Sequence, residues 1–154
     1  MDTVTSPDGT TIAYDKQGEG PTLILVDAAL ITRSSGSKPE LAKLLAAHST
    51  VYSYDRRGRG DSGDTLPYAV DREIDDIETL IDEGGGPALL YGNSSGASLA
   101  MLAAIRLAGK VSKLAMYEAP YNDDPEAQRA WGRYISGLTE ALADGRREIG
   151  RAHV

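Results

Sequence analysis

The sequence predicts an α/β protein: a mostly parallel sheet with flanking helices. Three observations carry that prediction. Leu23-Ile24-Leu25-Val26 and Ala88-Leu89-Leu90-Tyr91 are continuously apolar, as strands covered on both faces are. Segments of helical period, with Ile74, Ile77 and Ile81 in step in one and Trp131, Tyr134 and Leu138 in another, alternate with the strands. Strands that alternate with helices pair in parallel through right-handed crossovers. The 154 residues, 41% hydrophobic and 25% charged, match one globular domain with one ordinary core.

Each element follows in order. Residues 3 to 5 and 10 to 14 alternate apolar and polar around Pro7-Asp8-Gly9, which reads as an opening hairpin. After Gly18-Glu19-Gly20-Pro21 comes the strand 23–26. Ser37-Lys38-Pro39-Glu40 has capping-box spacing before Leu41, Leu44 and Leu45, so a helix is expected to run to about His48. Val51-Tyr52-Ser53-Tyr54 is the next strand, followed by the glycine-rich loop 57–63 and a helix from about Ala69 to Glu83, stopped by Gly84-Gly85-Gly86-Pro87. Strand 88–91 leads almost directly into a helix of small residues, Ser95 to Ala108. Lys113 to Tyr117 makes a last strand. Asp124 then caps a helix that has Pro125 at its first position. The domain is expected to span 1–145, with a flexible tail at 146–154.

Composition excludes several functions. Sixteen Lys plus Arg against 23 Asp plus Glu give a formal charge of −7, which argues against a nucleic-acid partner, and the basic run Arg56, Arg57, Arg59 is too short to reverse it. The longest apolar runs, 23–26 and 99–105, fall far short of the roughly 20 residues of a bilayer helix, and no signal pattern opens the chain. No membrane partner and a cytoplasmic location are expected. With no cysteine there is no disulfide, thiolate metal site or Cys nucleophile. The acids Asp71, Asp75, Glu78 and Asp82 share one helix face and read as solvated surface.

The sharpest motif is Gly92-Asn93-Ser94-Ser95-Gly96, a G-x-S-x-G between a buried strand and a small-residue helix. A chain that turns from strand to helix in so few residues presents a strained, exposed serine, and glycines remove the Cβ atoms that would clash. The bland alternative is a βα turn with a helix-capping serine. Two more stretches accompany the motif: Asp55-Arg56-Arg57-Gly58-Arg59-Gly60-Asp61-Ser62 and Val26-Asp27-Ala28-Ala29-Leu30.

With these three motifs in this order, residues 1 to about 145 resemble the α/β-hydrolase superfamily, specifically its small esterase and lactonase-like members. The second stretch looks like the family's D-x-R-G-x-G-x-S, and the third stands where the family has a His-Gly pair. The resemblance implies Ser94 as nucleophile and the backbone N–H groups of Ser95 and Ala29 as the oxyanion hole. Residues 117–120 would end the sixth strand, and the helix from Pro125 would begin a cap.

Departures from the pattern shape the functional expectation. The family's acid and histidine arrive on strands after the sixth, so the chain reads as a truncated α/β-hydrolase fold, about 100 residues short of the complete one. Of two histidines, His48 lies at the edge opposite the elbow and His153 in the tail. A serine without its base keeps about 10³ to 10⁴ over water from binding and the oxyanion hole. The sixth strand would form an open edge, which predicts a homodimer. Asp27 and Glu118 at strand ends, joined by His153, could instead hold a divalent ion such as Zn or Mn that activates water. The expectation is therefore a hydrolase of ester-type small molecules, carboxyl esters or phosphotriesters, acting by Ser94 or by metal-activated water. The competing expectation is a non-catalytic binding module or inactive fragment.

Overall fold

The computed structural model describes residues 1–35 and 38–146. The chain divides into two compact units, Met1–Pro120 and Tyr121–Val154. The first holds strands β1 (Asp2–Thr5), β2 (Thr11–Gln17), β3 (Thr22–Val26), β4 (Thr50–Tyr54), β5 (Ala88–Asn93) and β6 (Val111–Tyr117), with helices α1 (Lys38–Leu45), α2 (Val70–Glu83) and α3 (Ser95–Arg106). They form one six-stranded sheet in the order β1-β2-β4-β3-β5-β6. The predicted α/β class holds. The opening hairpin is antiparallel and pairs antiparallel with β4, whereas β4, β3, β5 and β6 are mutually parallel.

Every residue of β3 is buried, as its unbroken apolar run requires of a central strand. Its side chains alternate between two cores. Ile24 and Val26 join Tyr52, Tyr54 and Leu90 beneath Ile77 and Leu80 of α2 and Ala100 and Ala103 of α3. Leu23 and Leu25 join Val51 beneath Ala42 of α1. The alanines let α3 approach its strands closely. Across the surface, Arg106 pairs with Asp71 and Asp75, and Lys110 with Glu78 and Asp82, so the acidic face of α2 is exposed but not unpaired. Such surface pairs contribute about 0–1 kcal/mol each.

Some boundaries move. The capping residue expected for α1, Ser37, lies outside the described residues, and α1 stops at Leu45 and not near His48. There the chain tightens, His48 N donating to Leu45 O at 3.0 Å, because loop 18–20 runs hard against residues 46–49. A Cβ on Gly18, at φ +82°, would overlap the backbone of Ala46 and Ser49. β2 extends through the polar Asp15, Lys16 and Gln17 because β4 supplies hydrogen-bonding partners out to Val51. The expected tail, 147–154 above all, lies outside the described residues.

In the second unit, α4 (Pro125–Ala143) begins as predicted: Asp124 accepts from the N–H groups of Glu126 (3.2 Å) and Ala127 (3.1 Å). Within the helix, Trp131 and Tyr134 stack at 5.3 Å between ring centroids.

Candidate active site

The four parallel strands end on one side of the sheet, the place where ligand crevices form in open α/β sheets. Three non-glycine residues of positive φ stand there: Leu30 (63°) after β3, Ser94 (49°) after β5 and Glu118 (48°) after β6. Such conformations cost about 1–3 kcal/mol each and gather at functional sites.

Ser94 has φ 49° and ψ −123°, and its side chain makes no cap hydrogen bond to α3. An ordinary capping serine has an extended backbone and bonds the helix N–H groups; Ser94 does neither. Its backbone is held from both sides, Ser94 N donating to Tyr117 O and Ala97 N to Ser94 O, each at 2.9 Å. The two motif glycines are sterically required. A Cβ on Gly92 would lie 2.6 Å from Ala97 Cα, and one on Gly96 would overlap the carbonyl oxygens of Val26 and Asp27. The turn is a nucleophile elbow in geometry: the serine is strained, partly exposed and not consumed by the helix.

The resemblance placed the oxyanion donors at Ser95 and Ala29. Ser95 opens α3, so its N–H is among those a helix leaves without an intrahelical partner. Ala29 lies in the exposed turn after β3. Asp27, just before it, is held at both ends. Arg56 Nη1 donates to its carbonyl at 3.1 Å, and Lys38 Nζ forms a buried ion pair with its carboxylate. Burial pushes the Asp27 carboxyl above its ordinary range despite Lys38, and pushes the Lys38 ammonium below its own. A cavity of about 140 Å³ on the α1 side is bounded by these two residues, Tyr91 and Asn93. Asn93 Oδ1 is buried and has no hydrogen-bond partner among the described residues.

Two of the three candidate metal residues lie among the described residues. Asp27 is engaged by Lys38, Glu118 is exposed, and His153 lies outside the described residues. Among the described residues no group of three or more His, Cys, Asp or Glu is arranged to hold a metal ion. His48 precedes β4, at the sheet end opposite Ser94.

The glycine-rich loop is a scaffold. Asp55 accepts from the N–H groups of Arg33 (2.7 Å) and Asp61 (3.0 Å) and pairs with the Arg33 guanidinium. Arg57 is clamped between Asp76 (2.7 and 2.8 Å) and Asp8 (2.8 Å). Arg56 grips Glu73 through two 2.6 Å bonds and reaches Ser95 Oγ at 3.3 Å. Residue type alone hides these buried pairs. Their signal was positional: Glu73 and Asp76 fall in the inward stripe of α2 with Ile77 and Leu80, where a carboxylate needs a buried cation.

A family model described as "Alpha/beta hydrolase family" matches residues 33–152. An alpha/beta hydrolase from Sphaerobacter thermophilus DSM 20745 is 49% identical, with a TM-score of 0.81 over 95% of this chain and 56% of that one. The enol-lactonase from Burkholderia xenovorans LB400 is 25% identical, with a TM-score of 0.66 over 73% of this chain and 45% of its own. Ethanol acetyltransferase 1 of Cyberlindnera fabianii is 31% identical over 109 residues, 67% of this chain and 32% of that protein. The chain spans about a third of the curated relatives it matches and just over half of the Sphaerobacter structure.

Proposed function

The chain belongs to the alpha/beta hydrolase family, and from that premise we propose that it carries the nucleophile and oxyanion half of an acyl-transfer site acting on carboxyl esters. Ser94 Oγ bonds to the ester carbonyl carbon as the carbonyl electron pair moves to oxygen. The N–H groups of Ser95 and Ala29 receive that oxyanion, the alcohol leaves, and water or another alcohol releases the acyl group. One observation carries the reading: Ser94 stands in a strained turn that both motif glycines enforce, and its side chain does not cap the helix it opens.

A neutral hydroxyl needs a base. Among the described residues no histidine lies at the elbow. Without one, the hydroxyl proton passes to solvent water, which in turn protonates the departing alkoxide, and the described residues are expected to give the slow turnover of an oxyanion hole without a relay, about 10³ to 10⁴ over water. The enol-lactonase and acetyltransferase likenesses favour carboxyl esters over phosphotriesters. β6 is the last strand of the sheet among the described residues, and Met116 and Tyr117 on it are exposed. A second copy pairing along this edge is proposed as its cover.

The test is hydrolysis of p-nitrophenyl acetate and of a phosphotriester by wild type and Ser94→Ala, each with and without a chelator. Acetate turnover that vanishes in Ser94→Ala and ignores the chelator is expected. Chelator-sensitive turnover indifferent to Ser94 would replace the serine with a metal-bound water, and silence in every arm would leave a binding module.

A further inference from the structure

We propose that Arg56 is the positioning residue of the oxyanion hole, fixing the spacing between the loop that carries Ala29 and the helix start that carries Ser95. Its functional meaning rests on the Ser94 reading; its geometry does not.

Four bonds from Arg56 define the role. Arg56 Nε and Nη2 each donate to Glu73 at 2.6 Å, which fixes the guanidinium plane, and Tyr68 OH donates to the same carboxylate at 2.9 Å. The remaining nitrogen, Nη1, donates to Asp27 O at 3.1 Å and to Ser95 Oγ at 3.3 Å. One nitrogen therefore bridges the two segments from which the oxyanion donors come, two residues before Ala29 and at Ser95 itself. Gly96 rests against the same Asp27 carbonyl, where any Cβ would overlap it. Bond and bare glycine act together: one pulls the segments together and the other lets them close.

The role is spatial and not electrostatic. Glu73 neutralises Arg56 through the paired bonds, and both side chains are buried, 6% and 2% exposed. Lysine cannot reproduce it, because an ammonium does not present the planar fork that satisfies a carboxylate and still reaches two further acceptors. Arg57 is the internal control. It makes an equally buried two-bond pair with Asp76, yet its other hydrogen bonds go to Asp8, Ser6 and Arg72, away from the elbow.

The experiment compares Arg56→Lys, Arg57→Lys, Ser95→Ala and Ser94→Ala in the full chain, by amide hydrogen exchange and p-nitrophenyl acetate kinetics. In Arg56→Lys, exchange at 27–30 and 95–98 is expected to quicken about tenfold, and Ser94-dependent kcat to fall about tenfold with KM little changed, as misplaced oxyanion donors require. Arg57→Lys is expected to loosen 8–10 and 72–76 and to leave kcat alone. Ser95→Ala keeps the Arg56–Glu73 pair and the backbone donor, so it reports on the bridge even where Arg56→Lys does not fold; faster exchange at 95–98 is expected. Wild-type exchange in both segments in a folded Arg56→Lys or Ser95→Ala protein overturns the proposal. So does an Arg56→Lys pattern that matches that of Arg57→Lys. Turnover that persists in Ser94→Ala sinks the serine reading instead, and the exchange results then decide the role of Arg56 alone.

Discussion

Gly96 packs so closely beneath Val26 that a Cβ at position 96 would overlap the Val26 carbonyl oxygen. The obstacle is backbone, which cannot swing aside as a side chain does. Gly96→Ala must therefore push α3 away from β3, at a cost of about 1–3 kcal/mol as in overpacked cores. Urea unfolding measures it, and a wild-type midpoint would contradict the packing described.

Strain at Ser94 makes the opposite prediction for a neighbouring position. Glycine adopts φ +49° without steric penalty, so Ser94→Gly is expected to gain about 1 kcal/mol of stability after its own entropy cost, and to lose ester turnover. Thermal unfolding and the acetate assay on one preparation check both halves. A destabilised Ser94→Gly would show that the turn is not strained.

Lys38→Met removes the cation from the buried Asp27 carboxylate, leaving a charge whose isolation costs about 3–5 kcal/mol. Asp27 already holds its proton more tightly in the fold than an ordinary carboxyl, through burial, and without Lys38 it holds it more tightly still. A folded state that binds the proton better than the unfolded one loses stability as pH rises through and above the ordinary carboxylate range of about 4. The deficit of Lys38→Met is thus expected to be small near pH 5 and large at pH 8, read from urea midpoints at both. A deficit equal at the two pH values would mean that the carboxylate is not what the lysine supports.

If a second copy covers β6, light scattering at micromolar concentration reports twice the chain mass, and proline at Met116, which removes an N–H on the open side of the strand, lowers it to one. A monomeric wild type refutes the pairing.

The parallel sheet and the elbow were legible because each rests on a local pattern. β3 is a run of five buried residues, and the motif glycines stand where a Cβ cannot. Asp124 likewise announced α4. Less legible was whatever depends on residues far apart in sequence. Lys38 appears in the sequence only as part of the stretch that opens α1, and nothing local announces that the fold sets it against Asp27. Arg56 and Arg57 read as a basic run, yet each is spent on a different acid of α2. β2 outlasts its apolar alternation because β4, 35 or so residues later, pairs with its polar end. The partner of Asp27 was hidden for the same reason: its place at a strand end does not report that Lys38 pairs with it.

The strand order has a consequence for how the chain is made. β1, β2, β4 and β3 occupy consecutive places in the sheet and are complete by Tyr54. During vectorial synthesis these four can pair before residue 94 leaves the ribosome, and α2, with the acids that anchor Arg56 and Arg57, follows next. The elbow serine is thus laid onto a surface whose supports are already synthesised, and β5 needs only to add beside β3 for the turn at Ser94 to be forced into shape.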